Sequence, residues 1–554
     1  MRVLIIGGVA GGMSCATRLR RLDADAEIIV LERSGHVSYA NCGLPYFVGG
    51  VIEEEADLLL QTPQSLHERF RLDVRVGHLV TAIRPDVHLV EVTDLSTGEE
   101  HRLNYDALVL SPGAAPIIPP IPGIERAFPL RTVEDVEAMA AAVAAAPTTA
   151  VVIGGGFIGL ELAENLHHRG IATTIVEAAP QVLAPLDAEM AQLVTDELAA
   201  HGVSVLLGTS VRSIGEGEVS LVDGRSLRAD VVVVAVGVRP DVALARAAGL
   251  TIGERGGIVV DGYQRTSDPA IYAIGDVAEK TDALDGGATL VPLANLANRQ
   301  GRVVADHLAG RAVRIQPTIG TAIVKVFDLT IAATGWSERR LREAGRPVAM
   351  VHSHPSSHAG YYPGAQAMAL KLLFDPHSGE LLGAQGVGGE GVDKRIDVLA
   401  TALRGHLTAP ELADLELAYA PPFGSAKDPV NMLGYMAENV LSGLCHPVQW
   451  HEVEHYRALG YDVLDVRTAA EFERGHLPGS HNLPLDELRE RLGELANPRL
   501  LVTCQVGIRG HTATMLLNEV GFTARNLDGG YLTWAHSPAA RSHQPPTRTS
   551  AMSQ

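Results

Sequence analysis

Residues 150–177 read AVVIGGGFIGLELAENLHHRGIATTIVE. An apolar run, Ala150–Ile153, meets the loop Gly154-Gly155-Gly156-Phe157-Ile158-Gly159. A helical pattern follows over Leu160–Arg169, and a second apolar run, Thr173–Glu177, closes the stretch. Strand, glycine loop, helix and strand in that order make half of a dinucleotide-binding unit. The loop fits G-x-G-x-x-G in full and in the context the motif requires. Gly154 permits the tight turn, Gly156 lets a pyrophosphate approach the backbone, and Gly159 lets the helix pack on the strand. Free N–H groups at the helix start then hold the phosphates. Glu177 stands where a carboxylate accepts hydrogen bonds from both ribose hydroxyls. It would repel a 2′-phosphate, so NADH is expected over NADPH.

The same pattern recurs at residues 1–32: Val3–Ile6, the loop Gly7–Gly12, Met13–Leu22 and Glu27–Glu32. Val9 replaces the middle glycine, but Gly7, Gly12 and the terminal acid Glu32 are in place. Two further apolar strands end in glycine, as expected where a sheet edge meets a cofactor. They are Tyr105–Gly113 (YDALVLSPG, with Ser111 and Gly113 at its end) and Ala229–Gly237 (ADVVVVAVG). A third, Ala270–Asp276 (AIYAIGD), ends in an acid. The repeat predicts two nucleotide-binding domains.

The chain has 554 residues, too many for one core, so three or four domains are expected. Its formal charge of −20 argues against nucleic acid or an anionic membrane as the main partner. Met1–Gly12 reads as strand and glycine turn, without the features of a signal peptide. The apolar stretch from Ala138 to Gly156 is broken by Pro147, Thr148 and Thr149. It reads as a helix end, a turn and a strand rather than a membrane span. A cytoplasmic protein is expected. The cysteines, Cys15, Cys42, Cys445 and Cys504, are far apart and lack metal-ligand spacing. They predict no disulfide framework and no metal site, but one or two reactive thiols.

The two nucleotide units with AIYAIGD resemble the two-dinucleotide flavoprotein disulfide reductases. That resemblance implies FAD in the N-terminal site, bound by Gly7, Gly12, Glu32, Asn41, Ser111, Gly113 and Asp276. Glu32 would take the adenosine ribose and Asp276 the ribityl chain. NADH would be held by Gly154, Gly156, Gly159, Glu177 and Gly237. Most members carry C-x-x-x-x-C after the first acid. Here Ser38-Tyr39-Ala40-Asn41-Cys42-Gly43-Leu44-Pro45-Tyr46-Phe47 has one cysteine and no local partner. Its oxidised form is therefore a mixed disulfide, a persulfide or a sulfenic acid.

This segment resembles the S-F-x-x-C motif of coenzyme A disulfide reductases, with Tyr39 in place of Phe. Tyr361-Tyr362-Pro363-Gly364 and Tyr419-Ala420-Pro421-Pro422, with Lys427-Asp428 behind, extend the likeness over about residues 1–440. The family implies that Cys42 attacks a coenzyme A-linked sulfur beside the flavin. It also implies a homodimer with a composite site, in which Tyr361 and Tyr419 of the second subunit protonate or hydrogen-bond the leaving thiolate. Tyr362 is the less favoured member of its pair. Coenzyme A needs cations. Arg18 and Arg21, three apart on one helix face, match ligand positions together with Ser14, Ser38, Asn41, Arg299 and Lys427. Asn298 stands where a relative can have His, and Arg71 is adjacent to a basic family position. Cys15 and Cys445 are read as structural.

Residues 461–484, YDVLDVRTAAEFERGHLPGSHNLP, and 501–510, LVTCQVGIRG, resemble the rhodanese family. D-V-R with a following Glu, G-H-x-P-G-S/A and C-x-x-G-x-R occur in that order. The resemblance places Cys504 at the start of a loop, Gln505 to Gly510, whose N–H groups point at the sulfur. With Arg509 near, the loop favours a thiolate and then a persulfide. Asp465, Arg467 and His476 are read as structural.

The expected fold class is α/β, with two Rossmann-like domains, an α+β dimerisation domain and a C-terminal α/β rhodanese domain. The spans are 1–115 plus 250–320 for FAD, 116–249 for NAD, 321–445 for dimerisation and 446–540 for the rhodanese. The Pro-, Ser- and Thr-rich tail from Ser537, assigned to 541–554 as a domain span, is expected to be disordered. The fusion implies an FAD- and NADH-dependent persulfide or polysulfide reductase in which Cys504 carries sulfane sulfur and coenzyme A is bound as ligand. Three alternatives stay open: coenzyme A disulfide reduction with an accessory rhodanese, a single-cysteine NADH oxidase or peroxidase, and a non-enzymatic redox sensor or sulfur carrier.

Overall fold

The computed structural model describes residues 1–543. The chain forms two units, Met1–Pro180 with Gly202–Ile319, and Gln181–His201 with the chain from Gly320 onward.

The first unit is built on two parallel sheets. One runs in the order Ile271–Ala273, Ala107–Leu110, Arg2–Ile6, Glu27–Leu31, Asp73–Arg75, with every neighbour pair parallel. Val3, Leu4 and Ile5 are fully buried, because a parallel sheet is covered on both faces. Met13 and Leu19 of the helix Ala10–Leu22 pack on one face with Val304; Val80 and Ile83 of a small antiparallel sheet cover the other. The second sheet runs Ser204–Leu207, Ala172–Glu177, Thr149–Ile153, Val231–Val234, again all parallel. In both sheets the strand feeding the glycine loop has its successor on one side and a later strand on the other. That reversal opens a crevice at the strand ends, where nucleotides bind in such sheets.

Both helices start three residues earlier than expected, at Ala10 and Phe157 rather than Met13 and Leu160. The last glycine of each loop, Gly12 and Gly159, is already helical. A glycine-marked turn read from sequence therefore ends too late.

The second unit holds a five-stranded antiparallel sheet, Ala322–Val326, Leu329–Gly335, Leu381–Gly388, Met368–Phe374, Ala349–Ser353. Helix Val392–Arg404 lies on its central strands and Pro429–Leu441 on its edge strand. The unit also holds a four-stranded parallel sheet, His481–Asn482, Asp462–Asp465, Arg499–Thr503, Thr523–Asn526. Helix Ala188–Ala200 lies inside the 116–249 span, yet groups with this unit. One tie to that unit is electrostatic. The fully buried Lys371 ammonium sits 2.6 Å from Glu189, 2.7 Å from Glu338 and 3.0 Å from Asp187. A buried ammonium is tolerated only with such partners.

The expected disorder from Ser537 is corrected in part. Ser537 is fully buried, its hydroxyl donates to the Trp534 carbonyl at 2.6 Å, and Pro538–His543 is helical. Of the 541–554 tail, residues 544–554 lie outside the described residues. Among the described residues no helix is long and apolar enough to cross a membrane.

Candidate active sites

The two glycine loops share their key backbone features. Gly7 and Gly154 sit at φ +100° and +110°, where a side chain would be strained. A Cβ on Gly12 would run into the Gly7 carbonyl, and one on Gly159 into that of Gly154. Space is open around Gly156. Glu32 accepts the N–H of Gly8 at 2.8 Å and of Ser34 at 2.9 Å. Glu177 accepts those of Gly155 at 2.6 Å and Ala179 at 2.7 Å. Each carboxylate is thus tied to its own loop, with lone pairs left over for a ribose.

A cavity of about 1120 Å³ opens beside the first loop. Gly7, Ser14, Glu32, Ser38, Asn41, Cys42, Ser111, Gly113, Asp276 and Asn298 line it. Arg131, also in its wall, donates to Asp276 Oδ2 at 2.8 Å. The volume exceeds an ordinary small-molecule pocket of roughly 300–1,000 Å³. A phosphate cradle and a ribose-reaching acid share the cavity with the thiol, so these residues fit FAD. Gly237 follows the strand Val231–Val234 and is outside the cavity walls.

Cys42 stands in the short turn Asn41–Gly43 ahead of helix Leu44–Val48, exposed and unbridged. Partial enclosure pushes its thiol up, as do the carboxylates of Glu161 and Asp276, while Arg131 acts the other way. Glu161 escaped the sequence reading. It lies on the helix Phe157–His168, accepts the Tyr46 hydroxyl at 3.2 Å, and is lifted by burial to about 7. The available signal was a carboxylate in the first turns of a helix that is otherwise largely apolar there.

The expected coenzyme A residues divide. Ser14 donates to Asn298 Oδ1 at 2.7 Å, so these two meet at the cavity. Arg18 instead pairs at 2.8 Å with Asp306, whose side chain is 2% exposed and which also takes Arg311. Arg21 is exposed and lies over the Phe70 ring, 6.0 Å from its centre. The two guanidinium groups thus have different protein neighbours, a buried carboxylate for Arg18 and an aromatic ring for Arg21. Arg71 caps helix Pro63–Phe70 at φ +51°, and its carbonyl accepts from Arg20. Arg299 is exposed beside Asn298. Lys427, in the second unit, is exposed one residue before Asp428, the cap of helix Pro429–Leu441.

Tyr361 and Tyr419 meet through their hydroxyls at 3.1 Å, on a surface where they are 76% and 48% exposed. That hydrogen bond raises Tyr361. Tyr362 turns away, with its ring edge-on to His358 at 5.6 Å.

Cys504 follows the buried strand Arg499–Thr503 and is itself fully buried. Its sulfur accepts the Gly507 N–H at 3.2 Å. The loop expected over Gln505–Gly510 ends at Gly507. A helix starts at Ile508, so the sulfur lies at a helix N-terminus and Arg509 is in its first turn. Arg509 forks onto Glu471 at 2.6 and 2.9 Å, holding that carboxyl down to about 2, and interacts with the Cys504 sulfur. Arg467 has partners in both the strand and the loop. Besides clasping Asp465 at 2.7 Å it donates to Gln505 Oε1 at 3.0 Å, inside the loop. His476 stacks on Phe472, 3.8 Å between ring centres. Cys15 and Cys445 are buried and pushed up to about 12 and about 11 by that burial.

Residues 1–301 match the pyridine nucleotide-disulphide oxidoreductase family, 321–429 the dimerisation domain of that name, and 452–537 the rhodanese-like domain. A coenzyme A disulfide reductase of Staphylococcus aureus (strain bovine RF122 / ET3-1) is 35% identical over 441 residues, 79% of this chain and 100% of its own length. The crystal structure of reduced Bacillus anthracis CoADR-RHD is 46% identical, with a TM-score of 0.95 over 97% of this chain and 98% of that one. A NAD-dependent persulfide reductase from A. fulgidus is 39% identical, with a TM-score of 0.92 over 96% and 100%.

Proposed function

The chain belongs to the pyridine nucleotide-disulphide oxidoreductase family and carries a rhodanese-like domain, and from that premise we propose that it reduces coenzyme A-linked sulfane sulfur at Cys42, using NADH. The observation that carries this reading is a lone, exposed thiol in the wall of the cavity that the Gly7–Gly12 loop shapes for FAD. With no second cysteine in that wall, the other sulfur must arrive on the ligand. The Cys42 thiolate attacks coenzyme A persulfide, forming Cys42–S–S–CoA and releasing hydrosulfide. Two electrons then cleave that mixed disulfide, and one proton completes coenzyme A thiol. Bound FAD supplies the two-electron relay from NADH.

The chain's own groups position and protonate. Ser14, Ser38 and Asn298 face the ligand space. Glu161, lifted by burial to about 7, can give or take a proton near Cys42 around neutral pH. Tyr361 and Tyr419, donated by a second copy of the chain in a homodimer, hydrogen-bond the leaving thiolate. Cys504 accepts sulfane sulfur as a persulfide, which its facing N–H and Arg509 stabilise, and passes it to coenzyme A. Chemistry at free thiols of this kind suits the cytoplasm.

Supporting the persulfide reading are the rhodanese-like domain and the A. fulgidus relative's persulfide reductase name. A second reading, coenzyme A disulfide reduction, is favoured by the staphylococcal name. Steady-state NADH oxidation with each substrate decides. The persulfide should give the higher kcat/KM, and a higher value for the disulfide would reverse the assignment.

A further inference from the structure

Within the second unit, the rhodanese-like domain meets the antiparallel sheet through a row of histidines. His352, on the edge strand Ala349–Ser353, is 2% exposed. Its backbone N–H donates to Asp528 at 3.0 and 3.2 Å, and its Nδ1 lies 2.7 Å from Asp528 Oδ2. Its Nε2 lies 3.0 Å from Glu189 Oε1, which also takes Lys371. Gln449 adds a donor to Asp528 at 3.1 Å. Nearby, His354 bonds Thr533 at 2.7 Å and His536 bonds Asp196 at 2.8 Å.

Asp528 opens the segment that floors the Cys504 loop. Gly529 and Gly530 follow it, both at positive φ. The Tyr531 N–H donates to the Cys504 carbonyl at 2.7 Å, and the Leu532 N–H to that of Gln505 at 3.0 Å. A Cβ on Gly530 would fall 2.8 Å from the Gly507 nitrogen, the donor that faces the sulfur. Two glycines therefore separate a carboxylate clamped by His352 from the backbone that aims at Cys504. Buried charge–dipole contacts of this kind are directional, unlike an apolar seam, and so transmit position.

We propose that His352 and Asp528 are positioning residues for Cys504: the sheet of the dimerisation domain, clamped through this pair, holds the sulfur-carrying loop in its transfer geometry. The proposal rests on the reading of Cys504 as a sulfur carrier. Uncoupling the pair lowers the turnover of sulfur transfer rather than the binding of the sulfur donor.

The test uses the full chain with FAD bound. Thiosulfate-to-cyanide sulfur transfer is measured beside NADH-dependent reduction of coenzyme A persulfide on the same samples. His352→Asn keeps a donor where Nδ1 reaches Asp528; His352→Gln keeps one where Nε2 reaches Glu189 and leaves Asp528 without its side-chain donor from residue 352, the backbone N–H there remaining. We expect His352→Asn to hold transfer within about threefold. His352→Gln and Asp528→Asn should each lose about tenfold or more in kcat with little change in KM, as for loss of a charge-assisted buried hydrogen bond. Both should retain NADH-dependent reduction. Wild-type transfer in His352→Gln and Asp528→Asn overturns the proposal. So does a joint loss of both activities in both variants, which marks a merely structural role. If Cys504→Ser still transfers sulfur, the carrier reading itself fails.

Discussion

Cys42 and Cys504 occupy opposite settings. Cys42 is exposed to a large cavity, and its enclosure with Glu161 and Asp276 pushes the thiol up. Cys504 is fully buried, yet the fold aims a backbone N–H at its sulfur and seats Arg509 beside it. The first thiol faces open ligand space; the second is met by a backbone donor of its own loop. On the function proposed above, the chain joins a redox centre completed by ligand to a transfer centre completed by fold.

Four experiments bear on that contrast. Cys42→Ser should lower NADH oxidation with every sulfur acceptor by about 10³-fold or more, as loss of a nucleophile does. Activity within tenfold of wild type would break the contrast. Gly530→Ala forces a Cβ toward the Cys504 carbonyl, and should cost sulfur transfer about 10²-fold by misplacing one aimed donor. NADH-dependent persulfide reduction on the same sample should change far less. Tyr361→Phe should lower kcat at the Cys42 centre by about tenfold, less than a sole general acid, because the Tyr419 hydroxyl remains. Glu161→Gln removes a carboxylate that pushes Cys42 up. The pH midpoint of Cys42 alkylation should then fall, with a few-fold faster reaction at neutral pH.

The smallest effect concerns the clamp behind Cys504. Burial works against charge on His352, but Asp528 and Glu189 outweigh it and lift the imidazole to about 9, with Lys371 opposing. His354, a nearby imidazole, is held neutral by burial, down to about 3, with His352 and His536 acting the same way. A raised value means stability fully present below the unfolded histidine value of about 6.5 and lost as pH rises through about 9. The melting temperature should therefore drop by about 2–4 °C more in wild type than in His352→Asn between pH 7 and pH 10.

The nucleotide loops were legible because strand, glycine and acid recur at fixed order, and a close approach such as Gly12 to the Gly7 carbonyl admits no side chain. Cys42 and Cys504 were legible because each stands in a local motif. What escaped depends on partners distant in sequence. The pairing of Arg18 with Asp306 joins residues far apart in the chain. Glu161 and Tyr46 carried no signal as a pair until the fold brought them together. Helix Ala188–Ala200 read as part of a nucleotide domain, because the partners of Glu189, Lys371 and His352, lie far off in sequence. The histidine clamp joins residues 189, 352 and 528, a spacing that no local pattern encodes.

The most direct test of the central claim is the mass of the native, unreduced protein, mapped to its cysteines. The lone-thiol account predicts a coenzyme A adduct on Cys42 that thiol reductant removes, and sulfur added to Cys504 after exposure to a sulfane donor. A disulfide between Cys42 and another cysteine of the same chain would contradict it.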